Sequence, residues 1–296
     1  MTLPPAGTHG GDASRVARAL GLDPASMLDL SQSLNPVAPD PRSIIAAHLD
    51  ALARYPDPSI AQRALADVMS VDADRLLLTN GGAEAIALVA GLLDGSVEEP
   101  EFSLHPRGTG PRWRSNPHSP TGLLARPDEQ AAVWDEAFYP LATGDWTRGD
   151  DAIVVGSLTK VLACPGLRIG YVLADPSFIE RCRRRQPEWS LNGLAADALP
   201  DLLSALDLAD SVRRIRVLRE ELRLMLEGFG FVVRPSDANW LLVEYAGLRE
   251  WLAPKGIVVR DCASFGLEGV TRIAVPNETG IARLGAALET LKKEMT

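Results

Sequence analysis

The segment that best indicates the fold is Ile153-Val-Val-Gly-Ser-Leu-Thr-Lys-Val-Leu-Ala-Cys-Pro-Gly-Leu-Arg-Ile-Gly-Tyr171. A short apolar run, Ile153 to Val155, is followed by small and hydroxylated residues and by Lys160. A Pro-Gly pair then precedes Arg168 and a second apolar run, Ile169 to Leu173. The pattern predicts a strand, a turn that carries a lysine, a tight reversal and a second strand.

The polar residues of this stretch favour a particular chemistry. Ser157 and Thr159 supply hydroxyls beside Lys160, and the reversal brings the guanidinium of Arg168 back toward them. Together they offer an amine for a Schiff base next to an anion-binding group. A pyridoxal phosphate (PLP) enzyme needs this combination. The alternative is a surface lysine and arginine that flank a hairpin.

The spacing S-L-T-K-x-x-x-x-P-G-L-R-I-G-Y resembles the Schiff-base segment of fold-type I PLP enzymes of the aminotransferase class. The resemblance implies that Lys160 is catalytic and binds PLP, with Ser157, Thr159 and Arg168 as further cofactor ligands. It also implies an α/β fold in which helices sandwich a mostly parallel sheet, with a small α+β domain after it.

We expect three parts in this chain: an N-terminal segment at residues 1–35 that packs on the small domain, a large PLP-binding domain at 36–195 and a small domain at 196–296. From about Ala195 to Gly228 the apolar spacing is continuously helical and long enough to connect two domains. After Gly228, apolar runs of strand length alternate with helical patterns, which indicates an α+β unit.

Composition limits the function classes. With 296 residues the chain can bury a sizeable core. The net charge of -9 argues against nucleic-acid binding, since the only basic cluster, residues 181–185, reads as a solvated helix face. The three cysteines are odd in number and lack metal-like spacing, so we expect no metal site and a reducing cytoplasm. No apolar run approaches membrane-spanning length.

Leu76-Leu-Leu-Thr-Asn-Gly-Gly-Ala-Glu-Ala-Ile86 predicts a buried strand, a Gly-Gly break and an apolar helix. Free N–H groups and the helix dipole at such a terminus attract anions. It could also be a plain α/β turn. In the superfamily that the chain resembles, the equivalent turn holds the PLP phosphate, which implies Gly82 and Ala83 as donors.

The first sixty residues add a second resemblance. His9-Gly-Gly11, then Asp29-Leu-Ser-Gln-Ser-Leu-Asn-Pro36, then Arg54-Tyr-Pro-Asp-Pro58 are similar to the start of the threonine-phosphate decarboxylase and histidinol-phosphate aminotransferase branch. The resemblance implies a homodimer in which Tyr55 reaches the cofactor phosphate of the other subunit; a packed turn tyrosine is the alternative. Residues that it places near the substrate are His9, Gly10 and Asn35.

Between Leu93 and Asn116 the chain departs from this family. Residues 100–105 resemble a strand whose aromatic residue stacks on the pyridine ring, which would give His105 that role; a surface histidine is the alternative. Only ten residues then remain before Asn116, too few for a crossover unit. We therefore expect a shortened large domain, with at least one strand lost or replaced by the loop 106–114, and a short helix between Gly122 and Val133.

Two further motifs complete the cofactor site that the resemblance implies. Asn116-Pro-His-Ser-Pro-Thr-Gly122 resembles the N-P-N-N-P-T-G motif, in which the asparagine binds the phenolic oxygen of PLP. Asp135 follows an apolar run and would pair with the pyridine nitrogen, which makes it a second catalytic residue. Phe138 occupies the place of a tyrosine in many aminotransferases, so that hydroxyl is missing unless Tyr139 supplies it.

Substrate-binding residues are implied in the last third of the chain. Asn192 resembles a family residue that lies near the substrate carboxylate. The alternative is a structural role in the turn at a helix N-terminus. Arg272 lies amid apolar neighbours, where an unpaired guanidinium is costly, so it is expected to meet a carboxylate. Val259-Arg-Asp-Cys-Ala-Ser-Phe-Gly-Leu267 looks like threonine-phosphate decarboxylases, and Arg260 would contact the substrate carboxylate or phosphate. Ion pairs with Asp261 or Glu268 are the structural alternative.

We therefore expect a PLP enzyme similar to threonine-phosphate decarboxylase, which converts threonine phosphate to aminopropanol phosphate in cobalamin synthesis. Two alternatives remain: an aminotransferase of the histidinol-phosphate type, and a degenerate, non-catalytic homologue. The partners expected are a small, phosphorylated amino-acid substrate and a second copy of the chain, without nucleic acid or membrane.

Overall fold

The computed structural model describes residues 2–149 and 151–295. Its helices are α1 (Ala13–Leu20), α2 (Arg42–Ala47), α3 (Ser59–Met69), α4 (Gly82–Leu93), α5 (Tyr139–Thr143), α6 (Leu158–Val161), α7 (Pro176–Arg183), α8 (Gly193–Ala205), α9 (Leu208–Gly228), α10 (Leu248–Leu252) and α11 (Glu278–Met295). Its strands are β1 (Leu28–Asp29), β2 (Leu76–Asn80), β3 (Trp113–Ser115), β4 (Val133–Asp135), β5 (Ile153–Ser157), β6 (Ile169–Leu173), β7 (Val232–Arg234), β8 (Trp240–Glu244), β9 (Ile257–Val258), β10 (Arg260–Asp261) and β11 (Val270–Ala274).

The chain divides into two compact units. Unit 1 comprises Met1–Val37, Pro120–Leu123 and Arg213–Thr296, and unit 2 comprises Ala38–Ser119 and Leu124–Val212. The expected boundary at residue 195 falls inside α8, whereas the two units divide at residue 212, inside α9. The N-terminal residues 1–37 belong to the same unit as the C-terminal third of the chain.

Unit 2 is built on a mixed sheet with the strand order β2-β6-β5-β4-β3. Strand β6 is antiparallel to β2 and β5, while β3, β4 and β5 are parallel, so four of these five strands run in one direction. Apolar side chains cover both faces of the sheet. One core cluster contains Leu76, Leu78 and Trp134 with residues of α3 and α8, and the other contains Leu77 and Val133 with residues of α4 and α7. This is the helix-sandwiched α/β arrangement that the sequence predicted.

Two elements predicted for the shortened region of unit 2 are wrong. Residues 100–105 form a turn, not a strand, because the backbone N–H groups of Glu101 and Phe102 donate to the side chains of Glu99 and Glu101. Residues 124–132 contain no helix: Ala125 donates its N–H to the side chain of Asn116, and Arg126 and Glu129 close a turn around a proline. In both segments, side-chain and turn acceptors bind backbone N–H groups that a regular strand or helix would pair with other backbone carbonyls.

The helical pattern predicted from 195 to 228 is interrupted. Leu206 has an extended backbone, and the side chain of Asp207 accepts a hydrogen bond from the N–H of Asp210 at 2.7 Å. An aspartate at this place caps a new helix, since it satisfies an N–H that lacks a partner within the helix. The sequence pattern did not reveal the break because the apolar spacing continues across it.

Unit 1 contains an antiparallel sheet of order β10-β11-β8-β7 and a small parallel pair, β1 with β9. Its core cluster combines residues of β8 and β11 with Leu218, Leu222 and Leu226 of α9 and with the apolar side of α11. None of the helices formed by the described residues combines the length and apolar character that a membrane crossing requires.

Candidate active site

The carboxyl ends of β2, β3, β4 and β5 lie along one edge of the unit 2 sheet, because these strands run in the same direction. Ligands of α/β sheets bind outside the carboxyl ends of the strands. At this edge the chain places six of the predicted residues: Gly82, Ala83, Asn116, Asp135, Ser157 and Lys160.

A small-residue cradle is formed where β2 passes into α4. Gly81 has a φ of 78°, and a Cβ at this position would lie 2.4 Å from Nη2 of Arg168. A Cβ at Gly82 would lie 3.2 Å from the Cβ of Ser157. The N–H groups of Glu84 and Ala85 donate to the carbonyl of Gly81, so those of Gly82 and Ala83 are the ones that helix geometry leaves without a carbonyl acceptor in the helix. The cradle therefore combines backbone donors, a hydroxyl and a guanidinium, which is the chemistry of a phosphate site.

The short helix α6 carries Lys160 directly after β5. The Nζ atom of Lys160 lies 5.5 Å from the centre of the Phe138 ring. The amine is therefore close to the segment that follows β4. The preceding Thr159 is buried, and its Oγ1 has no hydrogen-bond partner among the described residues. A buried hydroxyl without a partner costs free energy, so a bound group that supplied a partner would offset this cost.

Asn116 and Asp135 are held side by side. The N–H of Asn116 donates to the backbone carbonyl of Asp135 at 2.8 Å, and the Asn116 side-chain oxygen accepts from Ala125 at 2.9 Å. The amide oxygen is thereby fixed, and the NH₂ group is left to donate elsewhere. Both side chains are buried, at 2% and 8% exposure.

Asp135 has a histidine as its polar partner. Its Oδ2 lies 3.0 Å from Nε2 of His105, and its Oδ1 accepts from the N–H of Ala137. The side chain of His105 is fully buried, with the rings of Phe102 and Trp113 centred 5.5 and 5.6 Å away. On the other side of the ring, Oε1 of Glu101 lies 3.8 Å from Nδ1.

In unit 1, Arg260 and Arg272 face each other across the pair of strands β10 and β11. Both are buried, and neither forms an ion pair with an acid of the described residues, so the alternative of a structural pair with Asp261 or Glu268 is wrong. The Nε atoms of both arginines lack a hydrogen-bond partner. Burial, and then the charge of Arg260, lowers the pKa of Arg272 to about 9; burial also lowers the pKa of Arg260.

Each guanidinium is nevertheless held in place. Arg272 lies over the ring of Trp240 at 5.0 Å, and its Nη2 is 3.5 Å from the carbonyl of Ser31. Arg260 lies over Phe265 at 4.6 Å and donates to the carbonyl of Thr8 at 2.5 Å. Aromatic faces and carbonyls fix the direction of a guanidinium without neutralising its charge. The arrangement leaves a positively charged site for an anion.

The loop that carries His9 and Gly10 belongs to the same part of unit 1. A Cβ on Gly10 would lie 2.0 Å from the carbonyl oxygen of Ser31, so only glycine fits there. The N–H of the next residue, Gly11, donates to Oγ of Ser31 at 2.8 Å. Asn35 is buried, and its side chain accepts from the N–H of Val37 at 3.1 Å. The loop is thus fastened to the turn after β1, whose Ser31 carbonyl also contacts Arg272.

Comparison with known proteins identifies the family. The family model for aminotransferase class I and II matches residues 113–288. The chain is 31% identical to the threonine-phosphate decarboxylase of Salmonella typhimurium, in an alignment that covers 96% of both proteins. This chain belongs to the class I and II aminotransferase family. A second relative, histidinol-phosphate aminotransferase 2 of Pseudomonas aeruginosa, is 27% identical, with 94% of both proteins covered.

Solved structures confirm fold-type I. The histidinol-phosphate aminotransferase of Sinorhizobium meliloti, solved with pyridoxal-5'-phosphate, has a TM-score of 0.83 at 16% identity, and covers 96% of this chain and 95% of its own. The L-threonine-O-3-phosphate decarboxylase of Porphyromonas gingivalis has a TM-score of 0.75 at 22% identity, and covers 90% and 100%. Class I and II membership confirms the PLP-dependent enzyme that the Lys160 segment predicted.

The residues at the sheet edge fit this cofactor. A phosphate needs donors without a bulky side chain in front of them, and the cradle at Gly81 and Gly82 provides this space beside Arg168. The pyridine nitrogen needs a buried carboxylate, and Asp135 is a buried carboxylate at this edge. The aldehyde carbon needs an amine, and Lys160 follows the same strand as Ser157. The partnerless hydroxyl of Thr159 is a further observation that favours a bound group here.

His105 has surroundings unlike those expected for a stacking ring. A stacking side chain must expose one face to the cofactor, whereas this side chain is fully buried and directs Nε2 at Asp135. In the structure, the His105 ring contacts the carboxylate of Asp135 from within the protein interior. The ring of Phe138, which follows β4, lies near the Lys160 amine.

The side chain of Asn192 is fully used in hydrogen bonds, whereas the side chain of Tyr55 is exposed. The Asn192 oxygen accepts from Ala195, the cap of α8, and its NH₂ donates to the carbonyl of Leu167, each at 2.8 Å. This is the helix-terminal role that was the alternative for Asn192. Tyr55 is 76% exposed and lies 4.5 Å, centre to centre, from the ring of Trp189. It is therefore not a packed turn tyrosine.

Sequence reasoning missed several residues at the site. Gly81 and Gly170 are required by close packing, since a Cβ on Gly170 would meet the backbone of Gly81 at 2.4 Å. The Gly-Gly break was a signal for the first, but nothing local marked the second. Glu101 was also missed, although its spacing of four from His105 was visible in the sequence.

Proposed function

We propose that this enzyme is a PLP-dependent decarboxylase that acts on O-phospho-L-threonine and forms aminopropanol phosphate, a cobalamin building block. The observation that carries the proposal is the facing pair Arg260 and Arg272, both buried and both without an acidic partner. Two guanidinium groups held in this state require anionic groups to offset their burial.

The charges of the candidate substrates favour threonine phosphate. This molecule carries a carboxylate and a phosphate, so it presents one anionic group to each arginine. Histidinol phosphate carries a phosphate but no carboxylate, and it would leave one guanidinium without a counter-charge. The 31% identity to a threonine-phosphate decarboxylase over nearly the whole chain supports the same choice.

Each residue then has a chemical role. When bound, PLP supplies an electron sink for the pair left at Cα. Arg260 and Arg272 would bind the phosphate and the carboxylate, and their hold on the substrate would select which bond of Cα breaks. The bond from Cα to the carboxylate breaks, CO₂ leaves, and the amine of Lys160 would return a proton to Cα. Asp135 would keep the ring nitrogen protonated, and Asn116 would donate to the phenolic oxygen.

The proposal includes a homodimer in which Tyr55 serves the cofactor phosphate of the other subunit. Its ring is exposed and stacked on Trp189, and three more exposed apolar residues come from the same part of unit 2: Leu49, Leu52 and Ile60. Exposed apolar residues in one region are typical of an interaction surface. The free, buried state of the three cysteines supports a reducing compartment, and we propose the cytoplasm.

An aminotransferase is the second candidate. The observation that favours it is the 27% identity to a histidinol-phosphate aminotransferase, and an amino acceptor with two carboxylates would also match two arginines. A non-catalytic homologue remains the third reading, because His105 is buried against Asp135 and exposes no face for stacking.

The deciding experiment has two stages. The visible absorption spectrum of the protein is titrated with PLP, for the wild type and for Lys160→Ala; we expect a band that depends on Lys160. The loaded wild type is then given O-phosphothreonine, and released CO₂ and the transfer of the amino group to 2-oxoglutarate are measured together. Stoichiometric CO₂ without transfer supports the decarboxylase. Transfer without CO₂ supports the aminotransferase, and absence of the band from folded wild-type protein supports the non-catalytic homologue.

A further inference from the structure

Arg249 lies on α10 of unit 1, and its side chain is almost fully buried, with 3% exposure. The guanidinium reaches the N-terminal segment at two points. Nη1 donates to the carbonyl of Pro4 at 3.1 Å, and Nη2 pairs with Oδ2 of Asp12 at 3.1 Å. A second acid, Glu250, is 3.7 Å away and 56% exposed. One side chain therefore fastens both ends of residues 4–12, which we call the N-terminal loop.

Between its two fastened ends, the N-terminal loop contacts Arg260. Nη2 of Arg260 donates to the carbonyl of Thr8, at the middle of the loop, at 2.5 Å. Burial lowers the pKa of Arg260, and the charge of Asp12 is one of the groups that oppose this shift. The Asp12 carboxylate itself is bonded to two other arginines, Arg249 and Arg15, and the Nε of Arg260 has no hydrogen-bond partner.

The same loop packs on the turn that contacts Arg272. A Cβ on Gly10 would lie 2.0 Å from the carbonyl oxygen of Ser31, and the N–H of Gly11 donates to Oγ of Ser31 at 2.8 Å. That carbonyl oxygen is 3.5 Å from Nη2 of Arg272. The loop that Arg249 holds is therefore in contact with both buried arginines, with one directly and with the other through Ser31.

The ion pair of Arg249 with Asp12 does more for the path of the loop than for the stability of the fold. Desolvation offsets much of the attraction in a buried pair, so apolar side chains would stabilise such a contact about as well. A guanidinium, however, holds its acceptors in a fixed geometry. The loop sequence, Pro4-Pro-Ala-Gly-Thr-His-Gly-Gly-Asp12, is rich in glycine and offers little apolar surface of its own. Its path is therefore fixed from outside, by Arg249.

We propose that Arg249 is a positioning residue for substrate binding: it fastens both ends of the N-terminal loop, and the Thr8 carbonyl of the loop keeps Arg260 aimed at the substrate anion. Arg249 acts only through the loop. The inference rests on the proposed function in that Arg260 is the group that meets a phosphate or carboxylate. It goes beyond that function, because it assigns the orientation of Arg260 to a residue that lies on another element.

The first test follows the loop in the full-length protein by hydrogen exchange. In Arg249→Met we expect the amides of residues 6–12 to exchange about tenfold faster, the value of one hydrogen bond to a charged group. Arg283→Met is the matched control, because Arg283 also donates to two backbone carbonyls of unit 1, those of Ser26 and Gly256, outside the loop. It should leave the loop unchanged. Unchanged exchange of the loop in Arg249→Met would overturn the proposal.

The second test measures substrate binding. The PLP-loaded protein is mixed with O-phosphothreonine, and its affinity is read by stopped-flow from the absorption of the cofactor. We expect Arg249→Met to weaken this affinity about tenfold and to leave the affinity for PLP unchanged, whereas Arg283→Met should change neither. Arg249→Lys keeps a positive charge beside Asp12 but lacks the fork that binds both ends of the loop, so it should recover only part of the loss.

A double-mutant cycle shows whether Arg249 acts through Arg260. In an Arg260→Met protein the loop has no guanidinium left to aim. The further change Arg249→Met should then weaken O-phosphothreonine binding by about twofold at most, the margin within which independent effects add. An equal, tenfold effect of Arg249→Met in both backgrounds would overturn the proposal, because Arg249 would then act on unit 1 as a whole.

Failure of the proposed function gives a different result from failure of this inference. If the wild type binds no PLP or no O-phosphothreonine, the proposed function fails, and inorganic phosphate, followed by calorimetry, replaces the substrate in the same cycle. A loop that loosens in Arg249→Met without any change in anion affinity overturns the inference. A loop and an affinity that change together, and only while Arg260 is present, support it.

Discussion

The two units treat the buried charges of their predicted residues in opposite ways. At the sheet edge of unit 2, the carboxylate of Asp135 is hydrogen-bonded to His105 and to the backbone of Ala137. In unit 1, Arg260 and Arg272 are buried opposite each other with carbonyls and aromatic rings as partners but no acid. The buried charge of Asp135 has partners within the described residues, and we call it the paired half; the buried charges of Arg260 and Arg272, the unpaired half, have no acidic partner there. Removing one member of a buried pair is costly for the fold, whereas an unpaired buried charge can be replaced at little cost.

Asp135→Ala should have the largest effect on the paired half. Removing one partner of a buried pair leaves the other uncompensated, so we expect a loss of about 3 kcal/mol of unfolding free energy. PLP affinity should fall by about 100-fold, as for truncation of a buried charged partner. Denaturant unfolding and a PLP titration measure both. Asp128→Ala, at a side chain that is 81% exposed, is the control and should change neither.

In the unpaired half, Arg272→Met should weaken ligand binding while it increases the stability of the fold. We expect affinity for O-phosphothreonine to fall by about 100-fold, because the anion loses its buried counter-charge. The unfolding free energy of the free protein should rise by about 1 kcal/mol, since an uncompensated buried charge is replaced by an apolar side chain. Calorimetry and thermal unfolding give the two values. A clear loss of stability would show that Arg272 already has a structural partner, contrary to this comparison.

Affinity for the same ligand should depend on pH through Arg272. Its pKa is lowered to about 9 by burial and by Arg260, so the guanidinium is charged below that pH and neutral above it. Anion binding is therefore retained below pH 9 and should weaken about tenfold for each pH unit above it. Binding measured from pH 7 to 10.5 tests this. Arg272→Met should lack this pH dependence, and an identical decline in the variant would assign the titration to another group.

Asn192→Ala should have the smallest effect, because its uncharged amide makes only the cap of α8 and a hydrogen bond to a backbone carbonyl. We expect a loss of about 1 kcal/mol in unfolding free energy from the missing cap of α8. Asn192→Asp keeps the oxygen that accepts from Ala195 and should recover most of it. Affinity for the substrate should stay the same in both. Weaker substrate binding in the aspartate variant, without a change in stability, would restore the substrate-binding role.

Local sequence was sufficient for the elements that depend on neighbouring residues. The strand, lysine and reversal at 153–173, and the strand, glycines and helix at 76–93, have the predicted order because turn residues and apolar runs act over a few positions. Prediction was wrong where acidic side chains compete with regular structure, as at residues 100–105, and where a cap interrupts a continuous apolar pattern, as at Asp207. In both, one side-chain hydrogen bond outweighs propensity.

The sequence by itself determined the family and the cofactor, and it nominated the residues expected around that cofactor, because their types and spacings lie in short segments. Only the tertiary structure decided which charges are paired. His105 and Asp135 are thirty positions apart, and Glu101 meets Ser115 across an irregular loop. Whether a buried charge has a partner depends on where distant segments come together. No periodicity in the sequence encodes which distant segments meet. The free energy of a buried charge nevertheless depends most strongly on whether such a segment brings it a partner.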